Sequence, residues 1–282
     1  MTTGLVTGTI EFSAVDGPGN RFVTFLQGCN LDCLACHNPY TINVCNDCGI
    51  CVEGCPSGAL SLVGTRVAWD PTVCLGSDAC LTVCPYDATP KARTMTPAQL
   101  VDLVRPAAPF LSGITVSGGE ATQQAAFVRA FFEVLRDDPA TAGLTRFVDT
   151  NGDAPQATWD LLDPVMDAAM VDLKALDADL HRRLTGHGNA LILDSIRTLA
   201  ARGRLYEVRL LLASGVNDSD DLLARTGAFL AAVDPTMRVK VIGYRPHGVR
   251  PSPIPLLEPT AEHLAHCATV LAGTGDFKLV TL

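Results

Sequence analysis

From about residue 95 onward, short apolar runs alternate with longer stretches in which apolar residues recur at helical spacing. The pattern predicts strands at Ile114 to Ser117, Arg146 to Thr150, Ala169 to Lys174, Glu207 to Ala213, Arg238 to Tyr244 and Phe277 to Thr281, with an earlier one at Phe22 to Leu26. Between the first two lie Phe127, Ala130, Phe131, Val134 and Leu135, spaced so that one face of a helix covers a sheet. Thr96-Pro97-Ala98-Gln99 reads as a capping box with proline in the first turn and opens a helix through Val104. This alternation is the signature of repeated β/α units around a parallel sheet.

Residues 43 to 92 break the rhythm. Here the chain repeats itself at an offset of 29: Cys45, Cys51, Cys55, Pro56 and Ala59 align with Cys74, Cys80, Cys84, Pro85 and Ala88. So short and cysteine-rich a segment builds little hydrophobic core, so bound metal clusters have to organise it. It is expected to be an insert in the barrel chain, dividing it into 1–42, 43–92 and 93–282.

The composition is that of an ordinary folded protein, with 48% hydrophobic and 18% charged residues in 282. A formal net charge of −9, with no run of Lys or Arg, argues against a nucleic-acid partner. The N-terminus has no basic residue before Arg21 and no long apolar core, so neither export nor a membrane span is expected. Of 11 cysteines, 10 fall between Cys29 and Cys84, which without a secretory signal points to metal in a reducing cytoplasm rather than to disulfides.

Cys29, Cys33 and Cys36 lie on one loop directly after the Phe22 to Leu26 strand. Three thiolates can each take one iron of a cubane and leave the fourth iron open to a ligand. A structural zinc site would need a fourth closing donor, and His37 is poorly spaced beside Cys36. Cys45-x2-Cys48-x2-Cys51-x3-Cys55-Pro56 matches the bacterial ferredoxin run, in which the fourth cysteine crosses to the other cluster. Crossing gives one 4Fe-4S set of Cys45, Cys48, Cys51 and Cys84, and a second of Cys55, Cys74 and Cys80. The second set has Ser77 where a cysteine is expected, leaving that iron to an oxygen ligand such as Ser77, Asp78 or water, or lost to give a 3Fe-4S cluster.

The CxxxCxxC loop after the first strand resembles the radical S-adenosylmethionine (SAM) superfamily. Asp16-Gly17-Pro18-Gly19-Asn20-Arg21-Phe22 and Cys36-His37-Asn38-Pro39 resemble the activating enzymes of glycyl radical enzymes. The likeness covers nearly the whole chain, because Ser117-Gly118-Gly119-Glu120, Asp149-Thr150-Asn151-Gly152, Met170-Val171-Asp172-Leu173-Lys174, Arg209 and Tyr244-Arg245-Pro246-His247-Gly248 match family motifs at successive strand ends. In β/α barrels such ends gather the functional groups. The insert is similar to those of a subset of these activases, its small size most like the YjjW-like branch.

The resemblance implies an α/β fold: a partial (β/α)6 TIM-like barrel of the radical SAM type with an inserted ferredoxin-like two-cluster module. It implies that Cys29, Cys33 and Cys36 ligate a catalytic 4Fe-4S cluster whose open iron chelates SAM. Ser117, Gly118, Gly119 and Glu120 would receive the cofactor's amino group, with Glu120 and Lys174 serving the cofactor rather than fold stability. Lys174, Arg209 and His247 would hold its carboxylate, ribose or adenine side, with Asp172 nearby. A monovalent cation would sit at Asp149, Thr150, Met170 and Asp172. The residue before the third cysteine is usually aromatic in the family and packs on the adenine; here it is Ala35. The implied activity is reductive cleavage of SAM, fed by a flavodoxin or ferredoxin donor, and removal of a glycine hydrogen from a partner glycyl radical enzyme. Two rivals are a radical enzyme acting on a small molecule or another peptide, and a non-catalytic electron-transfer protein. Cys267 with His263 and His266 is expected to be a half-buried helical cysteine rather than a metal site, and His181 to match a recurring family position or simply to pack.

Overall fold

The computed structural model describes residues 2–282. Nine strands, β1 (Gly4–Ser13), β2 (Arg21–Leu26), β3 (Arg93–Met95), β4 (Gly113–Gly118), β5 (Thr145–Thr150), β6 (Ala168–Asp172), β7 (Leu205–Leu212), β8 (Arg238–Gly243) and β9 (Lys278–Thr281), form one sheet. Their order is β9-β8-β7-β6-β5-β4-β2-β1-β3. From β2 to β9 all neighbours run parallel, whereas β1 is antiparallel to both β2 and β3. The end strands do not pair with each other, so the barrel stays open. Helices α1 (Pro97–Val104), α2 (Ala125–Asp137), α3 (Gln156–Leu162), α4 (Ala178–Thr185), α5 (Ala190–Ala201), α6 (Asp220–Val233) and α7 (Ala261–Ala272) connect the parallel strands. They make six β/α units followed by β9, as the periodicity leads one to expect.

Local chemistry explains the boundaries. The Thr96 hydroxyl and the Gln99 side chain close both halves of the capping box on α1. Phe127, Val128, Phe131, Phe132 and Leu135 bury the inner face of α2 against the sheet. Strands β1 and β3 were not among those expected. β3 is three residues long, too short to show a period, whereas β1 does alternate from Val6 to Phe12 with only Gly8 interrupting, and was passed over; in the fold its outer half, with Ile10 and Phe12, lies exposed. One core runs from Val6 on β1 to Leu271 on α7 and includes Trp159, buried with its indole N–H on Ser195.

Arg21 opens β2 inside this core, fully buried. Its guanidinium donates to the Thr115 and Thr145 hydroxyls at 2.7 and 2.9 Å and to the Thr145 carbonyl at 3.1 Å, with Phe147 stacked below at 4.2 Å. No carboxylate ion-pairs with it among the described residues, and burial lowers its pKa to about 10. It sits at the N-terminal ends of the parallel strands, the end of a β/α barrel that serves stability.

Residues 43–92 leave between β2 and β3. Asn43–Val44 pairs in parallel with Ala88–Thr89, a hairpin joins Leu60–Val63 to Arg66–Trp69, and two single-turn helices span Ile50–Glu53 and Ala79–Thr82. Their separate core is Cys51, Leu60 and Cys80, flanked by Val67 and Trp69. The sequence repeat is written into the backbone too: the left-handed residues Asp47, Gly49 and Gly58 recur at the same offset as Gly76, Asp78 and Asp87.

Candidate active site

At the C-terminal ends of the parallel strands a cavity of about 350 Å3 opens, within the range of small-molecule sites. Cys29, Cys33 and Cys36 line it together with Ser117, Gly118, Gly119 and Glu120, and with Asp149, Thr150, Asp172, Lys174 and Arg209 across from them. Residues separated by up to 180 positions thus face one space because successive strands deliver their ends side by side.

The thiol loop is held on three sides. Gly28 N and Cys29 N donate to the Thr41 and Ile42 carbonyls at 2.8 and 2.9 Å. Asp32 N and Leu34 N donate to the Thr185 and Leu184 carbonyls at 2.9 and 2.8 Å, satisfying the open C-terminal end of α4. Leu31 is buried within the loop and lines the cavity. Burial pushes the Cys29 thiol up to about 11 and that of Cys33 to about 12, and raises Cys36 as well. Three desolvated thiols side by side stay neutral unless a metal takes up their thiolate charge, and this donor set fits an iron-sulfur cubane. Among the described residues no three His, Cys, Asp or Glu side chains converge on a single ion.

Gly118 and Gly119 are required by the protein's own backbone. A Cβ on Gly118 would lie 2.1 Å from Leu26 N, and one on Gly119 would lie 2.2 Å from the Gly28 carbonyl. Gly119 N and Glu120 N donate to the Leu26 and Gly28 carbonyls, both at 2.8 Å, so the motif is sewn to the base of the thiol loop. Glu120 is 1% exposed, and its carboxylate accepts from Thr122 N, the Thr122 and Thr150 hydroxyls and Asn151 N at 2.7 to 2.8 Å. Burial raises its pKa and those four donors oppose the rise. A side chain so engaged braces β4 to β5 besides lining the cavity.

Charge continues across the sheet. Asp149 accepts from the Ser117 hydroxyl and from Arg209 Nη1, both at 2.9 Å, and Arg209 Nε donates to Glu207 at 2.9 Å. Burial raises the Asp149 pKa against the pull of Arg209. Lys174 Nζ donates to Asp172 at 2.7 Å, and although burial acts upward, Lys174 and Arg209 hold the Asp172 carboxyl below its ordinary range. Burial disfavours both cations, yet each is held firmly charged by the surrounding acidic groups.

Two expected residues stand apart. His247 is exposed and does not line the cavity, because the chain turns outward after β8, with Gly248 (φ 78°) pressed against the His37 carbonyl. Met170 is buried outside the lining, its thioether against Arg209 Nη2 at 2.8 Å. Asn151, after β5, donates from its amide to Cys29 Sγ at 3.7 Å and to Asn30 at 2.9 Å. Asn217, which the sequence reading passed over, ties the loop after β7 to the Lys174 carbonyl at 2.9 Å. The strand-end motif marked Asn151, but Asn217 stands in no motif, and an amide outside one carries neither charge nor periodicity to mark it.

In the insert, Cys45, Cys48, Cys51 and Cys84 line one small pocket that Cys80 also borders. Cys74 neighbours Cys55. Ser77 is exposed, and the adjacent Asp78 carboxylate pairs with Lys91 Nζ at 2.6 Å. On α7, Cys267 is fully buried, while His263 and His266 pair with Asp218 and Asp220 at 2.6 and 2.8 Å. His181 is buried, with Nδ1 on the His187 carbonyl at 2.8 Å.

Residues 23–226 match the profile of the Radical SAM superfamily. The chain is 32% identical over 245 residues to the (2S)-3-sulfopropanediol sulfolyase activating enzyme of Bilophila wadsworthia, covering 78% of each. It is 29% identical over 254 residues to the pyruvate formate-lyase-activating enzyme of Streptococcus mutans, covering 87% of this chain and 79% of that one. A crystal structure of a domain of pyruvate-formate lyase-activating enzyme from Bacteroides vulgatus superposes with a TM-score of 0.51 at 25% identity, over 61% of this chain and 99% of that domain. The family brings with it a 4Fe-4S cluster and SAM, for which the thiol loop and the cavity are suited. By sequence, by fold and by the grouping of its strand-end residues, the chain belongs to the radical SAM superfamily and, within it, to the activating enzymes of glycyl radical enzymes.

Proposed function

We propose that this protein removes a hydrogen from a glycine Cα of a partner glycyl radical enzyme, leaving the partner with a stored radical. The observation that carries the reading is the shared cavity, where three desolvated thiols and the strand-end charges face one space. Cys29, Cys33 and Cys36 would hold the cluster, which would supply the electron for reductive cleavage of bound SAM to methionine and the radical species that takes the hydrogen.

The chain's own residues bind, orient and exclude water. Asp16, Glu120, Asp149 and Asp172 line the cavity against two cations, Lys174 and Arg209, and this excess of negative charge suits a ligand with an ammonium, a sulfonium and one carboxylate. Lys174 is positioned for the carboxylate, while Arg209 acts through Asp149. Leu31, Leu184, Ile242 and Leu256 wall the cavity and offer the adenine an apolar surface in place of the aromatic residue missing at Ala35. His247, outside the lining, has no part in this contact set. A monovalent cation would draw on Asp149, Thr150 and Asp172, with Met170 limited to its backbone.

Residues 43–92 are read as a ferredoxin-like relay between the barrel segments 1–42 and 93–282. Cys45, Cys48, Cys51 and Cys84 would hold one cluster, and Cys55, Cys74 and Cys80 a second with Ser77 or water at the remaining iron. The repeated left-handed positions support this reading. A flavodoxin or ferredoxin in a reducing cytoplasm is the fitting electron source. Among the described residues no helix is long and apolar enough to cross a membrane.

The test is anaerobic mixing of the reconstituted protein and SAM with candidate glycyl radical enzymes, read by electron paramagnetic resonance. A glycyl radical in the partner that disappears with Cys33→Ala is the expected result. SAM cleavage with no radical in any partner would favour a small-molecule substrate, and cleavage unchanged by Cys33→Ala would sink the assignment of the thiol loop.

A further inference from the structure

One side chain outside the cavity joins three segments that are far apart in sequence. Arg250, in the loop after β8, donates from Nη1 to Asp87 Oδ2 at 2.6 Å. Its Nη2 donates to the Asp32 carboxylate and to the Cys33 carbonyl, the latter at 3.4 Å. Asp32 and Cys33 belong to the thiol loop, and Asp87 lies where the insert returns to the barrel. Asp87 is also left-handed (φ 47°), a conformation that needs support from its surroundings in any residue but glycine.

Exposed ion pairs by themselves stabilise little, and Asp32 is largely exposed. Arg250 differs in being 23% exposed and in using its rigid fork on acceptors from two segments, a geometry that lysine cannot reproduce. Besides Arg250, Gln27 Nε2 donates to the Asn43 carbonyl at 2.5 Å and Arg93 lies over the Trp69 ring at 5.7 Å, but neither contact reaches the thiol loop. The insert's own core is three residues, and its base is closed by the two-residue pairing of Asn43–Val44 with Ala88–Thr89.

We propose that Arg250 is a positioning residue that locks the insert onto the thiol loop and so fixes the spacing between the iron-sulfur groups of the two regions. The inference rests on the insert being a cluster-bearing relay. Spacing matters there because electron transfer and magnetic coupling between clusters both fall steeply with distance.

The experiment compares reconstituted wild type with Arg250→Met, Arg250→Lys and Asp87→Asn by iron content, amide hydrogen exchange and paramagnetic resonance of the chemically reduced protein. Iron per chain should be the same in all four. In Arg250→Met and Asp87→Asn, amides at 43–44 and 86–89 should exchange about tenfold faster, as expected for a locally released segment. Spin-spin broadening of the thiol-loop cluster by the reduced insert should weaken in both. Arg250→Lys should restore neither, since charge without the fork does not hold two segments. Wild-type exchange and broadening in Arg250→Met and Asp87→Asn would overturn the proposal. A wild-type count near four irons per chain, rather than roughly eight or more, would instead remove the relay reading and with it the spacing role. The exchange data would then still decide whether Arg250 holds the insert.

Discussion

The barrel site and the insert hold their cysteines by opposite means. Around the cavity, Glu120, Asp149 and Arg209 are positioned by hydrogen bonds that reach across the sheet, and beneath them lies a core running from β1 to α7. In the insert the core is itself made of cysteines, with Leu60 between Cys51 and Cys80. The barrel therefore offers a prepared site to its ligand, whereas the insert, if it is the relay proposed above, would depend on its clusters for its form. A sheet with six β/α units buries enough apolar surface to fold unaided, while about fifty residues with almost no apolar core do not.

The sharpest way to break this comparison is to remove the iron. Chelation should raise amide exchange across residues 45–84 by more than about 100-fold and leave the strands β4 to β8 protected. Equal loosening of both regions would mean that the barrel, too, is organised by its cluster. Next in size is Arg209→Met, which strands the buried Asp149 and weakens the tie to Glu207. Denaturant unfolding should show a loss of about 3–5 kcal/mol, typical of one partner removed from a buried ion pair. The sign with pH is set by Asp149, whose folded pKa is already raised by burial and rises further without Arg209. Such a carboxyl destabilises when ionised, so the deficit should shrink as pH falls through that raised value.

Glu120→Gln comes third. The amide leaves at least one of the four donors around Glu120 without an acceptor, and a loss of about 2 kcal/mol is expected alongside weaker SAM binding. From sequence, Glu120 was expected to serve the cofactor alone. An unchanged melting temperature would restore that view. The smallest effect belongs to Ser77→Cys, at an exposed position. Stability should stay the same while iron becomes slower to leave under chelator or oxygen, because sulfur replaces a harder oxygen ligand. A rise from about 8 to about 12 irons per chain would show that the wild-type second site is empty.

Much of the site could be read before any coordinates. The cysteine spacings, the strand positions and the motifs at strand ends are local properties, and local properties survive in a one-dimensional string. The alternation of apolar runs marked β2 and β4 to β9, helical spacing marked the Phe127 to Leu135 face of α2, and the capping box marked the helix from Pro97 to Val104. β1 was passed over although Val6, Ile10 and Phe12 alternate there with Thr7, Thr9 and Glu11; the signal was present, and what the sequence could not show is that half of the strand's apolar side stays in solvent.

What only the folded chain decided is which groups meet. Glu120 and His247 looked alike as charged or titratable residues at strand ends, yet one is enclosed by four donors and the other points to solvent. Arg250 carried no motif at all and joins the thiol loop to the insert. Gly118 and Gly119 were expected to receive the cofactor's amino group, but only the sheet order shows that the backbone of Leu26 and Gly28 leaves no room for a Cβ at either. The reason is physical: residue type sets what a side chain can bond, whereas strand order and burial set which partners, out of a whole chain of candidates, come within 3 Å of it.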